Sequence, residues 1–188
     1  MSRRIVTTLL VLASVGVLVL AFALPPRIGH PVTPLMQSAA DETAGKAINS
    51  LPSDATRPMV VVFVLPDCPC SIAYEPYVQA LYRQHGAEAA FVEVVAGDAS
   101  SAEEWKQQHR TPFEVVSDPD RIIAREFGAL RSAYTALVLN GRVVRLWPGY
   151  SAAMLLEADR LLPSQMTEVR STLDLDGAPE QPTSGCPL

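Results

Sequence analysis

The chain has 188 residues and a mass of 20.3 kDa, and an apolar N-terminal stretch leaves about 164 of them for a globular unit, enough for one domain with a proper core. Apolar residues at 48% and charged residues at 19% exclude a disordered or collagen-like chain, and three cysteines are too few for a disulfide-stapled miniprotein. The formal net charge is −5; Arg3 and Arg4 precede the apolar stretch and every acid follows it, so without those two arginines the remainder carries −7, which argues against a nucleic-acid surface.

Residues 1–4 form a short basic head, and Ile5 to Leu24 is then twenty residues without a charge, Pro, Asn or Gln. A helix of that length crosses the ~30 Å hydrocarbon core of a bilayer. Arginines on its N-terminal side and the Pro25-Pro26 stop on the other predict a retained anchor over 1–24 with its N-terminus in the cytoplasm, in the inner membrane of a bacterial-type cell, and the rest in the periplasm. The competing reading is a signal peptide cleaved after Ala21-Phe22-Ala23, releasing the domain into the periplasm.

Residues 25–37 are rich in proline and read as an extended tether. A short helix is expected from Ser38, capped by Ser38 or Asp41. Met59 to Leu65 is a continuous apolar run rich in β-branching, which predicts a central strand buried on both faces. Ser71 to His85 alternates at helical spacing, with Pro76 expected to kink the helix. Ala90 to Ala96 reads as a second strand, Ser100 or Ser101 to His109 as a helix ended by Thr111-Pro112, and Phe113 to Val116 as a short strand. Asp118-Pro119 opens a helix closed by Gly128. Tyr134–Leu139 and Val143–Trp147 flank Asn140-Gly141, the pair suited to a two-residue hairpin turn. Ser151 to Leu162 is a final amphipathic helix, and residues 164–188 lose periodicity and read as a flexible C-terminal tail. Parallel units followed by an antiparallel hairpin give an α/β domain over 38–163, a mixed central sheet with helices on both faces.

The candidate chemistry lies at Cys68-Pro69-Cys70. Both thiols follow a strand and open a helix, where free N–H groups and the positive end of the helix dipole favour a thiolate, the form that attacks disulfides. Asp67 and Glu75 oppose that effect. The alternative is that the two cysteines are buried and inert or form a structural disulfide. Cys186 is a resolving partner, an intermolecular cysteine or incidental. Glu93 is a buried proton shuttle or an edge-facing acid; His85 and His109, near helix ends, read as solvated residues or dipole partners. Arg121, Arg125 and Arg131 read as a solvated helix face, and Tyr74, Tyr77, Tyr82 and Trp147 as packing residues.

On Val60–Leu65 leading into Cys68, Pro76 eight residues later, Pro112–Pro119, Ala124–Gly128 and the hairpin Thr135–Val144, the chain resembles the thioredoxin-like superfamily over roughly residues 55–163. Within it the likeness is to membrane-tethered redoxin and TlpA/ResA-like thiol-disulfide oxidoreductases and to AhpC/TSA-type domains. The resemblance implies a three-layer thioredoxin-like fold, Cys68 as nucleophile, Cys70 as the thiol that resolves the mixed disulfide, a protein thiol or disulfide as partner, and no organic cofactor. Two features depart from the family pattern. Ser71 stands where the usual resolving cysteine would be, and Ala133 or Tyr134 stands where the family has a cis-proline. Three alternatives follow from the same likeness: a Sco-like copper chaperone, for which two soft thiolates suit Cu(I); a redox-inactive binding module; and a peroxiredoxin, less supported because Leu65 occupies the place of that family's threonine.

Overall fold

A computed structural model describes residues 29–52, 56–163 and 173–188. The expected membrane anchor over 1–24 lies outside them, and among the described residues no helix is long and apolar enough to cross a membrane.

The elements in chain order are β1 (His30–Pro31), α1 (Pro34–Asp41), β2 (Met59–Val64), α2 (Pro69–His85), β3 (Ala90–Val95), α3 (Ala99–His109), β4 (Glu114–Ser117), α4 (Ile122–Phe127), β5 (Thr135–Leu139), β6 (Arg142–Trp147), α5 (Ala152–Leu161) and β7 (Thr183–Ser184). Five strands form one sheet in the order β4-β3-β2-β5-β6, with β2 in the centre. β2 runs parallel to β3, and β3 to β4; β5 is antiparallel to both β2 and β6.

All six residues of β2 are buried because helices cover both faces. Val60, Val62 and Val64 pack beneath α2, α3 and α5, through Tyr74, Val78, Leu81, Trp105 and Leu155. Met59, Val61 and Phe63 point the other way, to Ala40 of α1 and to Ala124 and Phe127 of α4. Each such side chain is worth about 1.5–3 kcal/mol on full burial, so this strand anchors both layers. The hairpin turn is as expected: Asn140 and Gly141 both have positive φ, 52° and 69°.

Boundaries moved where a polar cap or a proline outranked periodicity. α1 starts at Pro34 rather than Ser38, because the Thr33 side chain accepts the Met36 N–H and Pro34 suits the first turn. α2 starts at Pro69, where the proline again suits the first turn, with Cys68 as its cap residue but without a side-chain cap bond, and it runs through Pro76 to His85. α3 is capped by Asp98, which accepts from the Ser101 N–H and from both neighbouring serine hydroxyls. Those bonds, the Ser101 backbone first, hold the Asp98 carboxyl down to about 2.

The two ends of the domain depart furthest from expectation. Residues 29–37 are no plain spacer: His30–Pro31 pair with Thr183–Ser184, and helix α1 follows. Residues 173–188, expected as part of a flexible tail, lie against the domain. Leu173, Leu175 and Ala178 pack on the α2 side of the sheet, the Tyr77 hydroxyl donates to the Asp176 carbonyl, and Tyr150 and Thr183 exchange two backbone hydrogen bonds. Backbone pairing of this kind leaves no side-chain period to read.

Candidate active site

The strand-helix junction after β2 places Cys68 at the cap of α2 and Cys70 in its first turn. The loop between is drawn tight by the Ser71 hydroxyl, which accepts the Leu65 N–H at 3.1 Å, and by the Cys68 N–H, which donates to the Leu65 carbonyl. Ser71, at the place of the usual second cysteine, therefore acts as a brace. Leu65, where a peroxidase would carry threonine, contributes only its backbone.

Both cysteines are enclosed, at 1% and 3% exposure. All three cysteines are free thiols. The Cys68 sulfur accepts the Ser132 hydroxyl at 3.2 Å and the Cys186 backbone N–H at 3.1 Å. Burial pushes this thiol up, but the Cys186 thiol, the Ser132 hydroxyl and the backbone N–H groups of Cys186 and Ser71 all donate to it and win, lowering it to about 6. Cys70 is the opposite case. Burial and then the neighbouring Cys68 charge push it up to about 12. At neutral pH the thiolate is therefore Cys68. Cys186 is raised, through its hydrogen bond to Cys68 first and burial second.

Ser132 sits in the loop before β5, and this loop replaces the family's cis-proline. No described peptide bond is cis; instead Ala133 takes the left-handed region at φ 61°. Its N–H donates to the Phe63 carbonyl, and the Phe63 N–H donates to Tyr134, so the loop is laced to β2 directly beside the cysteines. A left-handed alanine costs about 1–2 kcal/mol, which the burial and bonding on both sides offset.

Cys186 arrives on the C-terminal segment. The Gly185 N–H donates to the Ser132 carbonyl and the Ser132 N–H to the Cys186 carbonyl, each at 2.9 Å, while the Arg131 guanidinium donates to the Gly185 carbonyl at 2.7 Å. Arg131 is thus a clamp outside any helix, not part of a solvated helix face. On the Cys70 side the cover is residue 29, where a Cβ would lie 2.9 Å from the Cys70 sulfur, and Tyr150, whose hydroxyl burial and the Cys70 charge push up to about 12. Sequence reasoning missed Arg131, Ser132 and Tyr150 as site residues. The small Ser-Gly pair before Cys186 was the available signal.

Other expected residues fall elsewhere. Glu93 is fully buried on an interior strand, not at an edge; it accepts the Trp105 indole N–H at 2.8 Å. Burial, then the hydrogen bond and charge of Glu75, push its carboxyl well above the usual range. None of its partners is a cysteine. His85 is buried rather than solvated, bonded through its two ring nitrogens to the Pro163 carbonyl and Asp159. The His109 ring packs tilted against Trp105, with centroids 4.0 Å apart. Among the described residues no group of three or more His, Cys, Asp or Glu is arranged to hold a metal ion.

Helices on both faces of a mixed sheet, with a cysteine at the end of the central strand, define a thioredoxin-like domain. Residues 31–154 match the AhpC/TSA family, and the chain belongs to that family. No curated protein matches it. Solved structures share the fold. A putative thiol:disulfide interchange protein DsbE from Chlorobium tepidum superposes with a TM-score of 0.52 at 20% identity, over 63% of this chain and 95% of that one. A secreted Mycobacterium tuberculosis disulfide oxidoreductase homologous to E. coli DsbE does so at 0.50 and 18%, over 65% and 100%. The thioredoxin domain of a thiol-disulfide oxidoreductase from Bacteroides vulgatus gives 0.51 at 11%, over 58% and 81%.

Proposed function

We propose that this protein exchanges thiols and disulfides with a protein partner in the periplasm, tethered to the inner membrane by residues 5–24, through the Cys68-Pro69-Cys70 motif. The single observation that carries the reading is the Cys68 sulfur itself. It stands at the N-terminus of α2, accepts two hydrogen bonds from outside that helix, and is held at about 6. A thiolate at neutral pH attacks the sulfur of a partner's disulfide and forms a mixed disulfide, which a second thiol resolves. The names of the structures that share the fold agree with this chemistry.

The test is the pH profile of alkylation at Cys68 in the reduced full chain, mapped by mass, together with its reaction with oxidised glutathione. A half-maximal rate near pH 6 and a glutathione adduct at Cys68 are expected. A profile centred near the ordinary thiol value, with no adduct, overturns the reading. A periplasm-active reporter fused after residue 188, compared with a cytoplasm-active one, tests the orientation.

A further inference from the structure

We propose that Cys186 is the thiol that resolves the mixed disulfide on Cys68, delivered by a C-terminal strap built to hold it there; this rests on the thiol-exchange reading above.

The strap pairs with the loop before β5 as an added strand: Ser132 exchanges both its backbone bonds with Gly185 and Cys186, Arg131 bridges to Pro187, and the Leu188 N–H donates to the Leu130 carbonyl. These bonds fix the backbone of residue 186 so that its N–H meets the Cys68 sulfur at 3.1 Å, and the two thiols interact, each shifting the acidity of the other. The approach is close enough to require glycine beside it. A Cβ at position 185 would collide with the Ser132 hydroxyl and come within 3.0 Å of the Cys68 sulfur.

Reaction at Cys68 changes the surroundings of Cys186. Cys186 keeps its proton chiefly because it donates to the Cys68 thiolate. Once that sulfur is bonded to a partner its charge is gone, and this restraint on Cys186 disappears with it. Cys70 shares part of this release, since the Cys68 charge and hydrogen bond raise it too, but its largest restraint is burial, and burial remains. A Cys68–Cys70 bond must also close a small ring across Pro69 within one helical turn, whereas Cys186 comes from a separate segment free of that constraint.

The steps balance as a two-electron exchange. The Cys68 thiolate attacks a disulfide R–S–S–R′, the S–S bond breaks, and R′S⁻ leaves and takes up a proton. Cys186 gives its proton to solvent, and its sulfur attacks Cys68. The Cys68–S–R bond breaks, RS⁻ leaves, and a Cys68–Cys186 disulfide forms. The partner disulfide is reduced to two thiols while Cys68 and Cys186 are oxidised.

The experiment uses the full chain in detergent, reduced, freed of reductant and mixed with oxidised glutathione, then quenched with acid and mapped by mass. Expected is a Cys68–Cys186 linkage in the wild type. In Cys186→Ser a glutathione adduct on Cys68 should outlive the wild-type adduct by at least about tenfold, as loss of an intramolecular nucleophile requires. Cys186→Ala, checked with the serine variant for an unchanged circular dichroism spectrum, guards against a folding artefact. A Cys68–Cys70 linkage in the wild type, or clearance of the adduct at the wild-type rate in both variants, overturns the assignment of Cys186 and leaves thiol exchange standing. No adduct at Cys68 in any form overturns both.

Discussion

The backbone N–H of Cys186 donates to the sulfur of Cys68 across 118 residues of sequence, at 3.1 Å. A reactive sulfur at the end of the central strand is thus completed by a residue near the other end of the chain. The acidity of Cys68 is a property of the assembled strap and loop, not of the motif alone.

Removing one donor tests that dependence. In Ser132→Ala the Cys68 sulfur loses the hydroxyl at 3.2 Å. One charge-assisted hydrogen bond is worth about 1.5–3 kcal/mol, so the midpoint of the alkylation profile should rise by about 1–2 pH units. An unmoved midpoint would show that the hydroxyl donates elsewhere.

Gly185→Ala should loosen the strap. Steric collision of that kind costs about 1–3 kcal/mol in the seated state, so the open fraction and the alkylation rate of Cys68 at pH 8 should rise about 5- to 150-fold. Quenched-flow alkylation with a small reagent reads this directly, and a rate equal to wild type would mean that the segment shields nothing.

Glu93 predicts a pH dependence of stability. Its folded value lies above its unfolded one, so its contribution is fully present below the ordinary carboxylate range and is lost as pH rises through the raised value. Glu75, Trp105 and Thr111 face it, and none is a cation at neutral pH. Glu93→Gln keeps an acceptor for Trp105 and removes the titration, so its melting temperature relative to wild type should increase from pH 5 to pH 8. Parallel melting curves across that range would refute the assignment.

His85 is a structural tie between α2 and the end of α5. Replacing it with alanine leaves the Pro163 carbonyl and Asp159 without this partner and opens a cavity, for a cost of about 2–4 kcal/mol. Urea unfolding should show a lower midpoint with an unchanged slope; a loss below about 0.5 kcal/mol would match a solvated surface residue instead.

The parts of the fold that rest on side-chain pattern were legible in the sequence. The β-branched run of β2, the Asn140-Gly141 turn and the glycine stop at Gly128 each have a local cause, and Cys68 follows from the end of β2. What could not be read was whatever depends on backbone meeting backbone at long range. Thr183, Ser184 and Gly185 carry no period, yet their amide groups pair with Tyr150, His30 and Ser132. His85 illustrates the same limit: its buried place is set by Asp159 and Pro163, 74 and 78 residues further on. Glu93 interrupts an otherwise apolar strand, and Trp105 and Glu75 arriving from two helices, with Thr111 beside them, explain how a carboxyl fits there.

The β1–β7 ribbon that covers the cysteines has two residues in each strand. A unit so small is marginal by itself, so any local opening that uncovers the cysteines starts here, at a free energy below that of unfolding the domain. The rate at which any reagent consumes Cys68 is then the intrinsic rate of the thiolate multiplied by the fraction of time the ribbon is open. Small oxidants meet a sulfur that is mostly out of reach. A macromolecule that binds the open form lengthens that fraction for itself alone, so selectivity is written in time spent uncovered rather than in the acidity of the thiol.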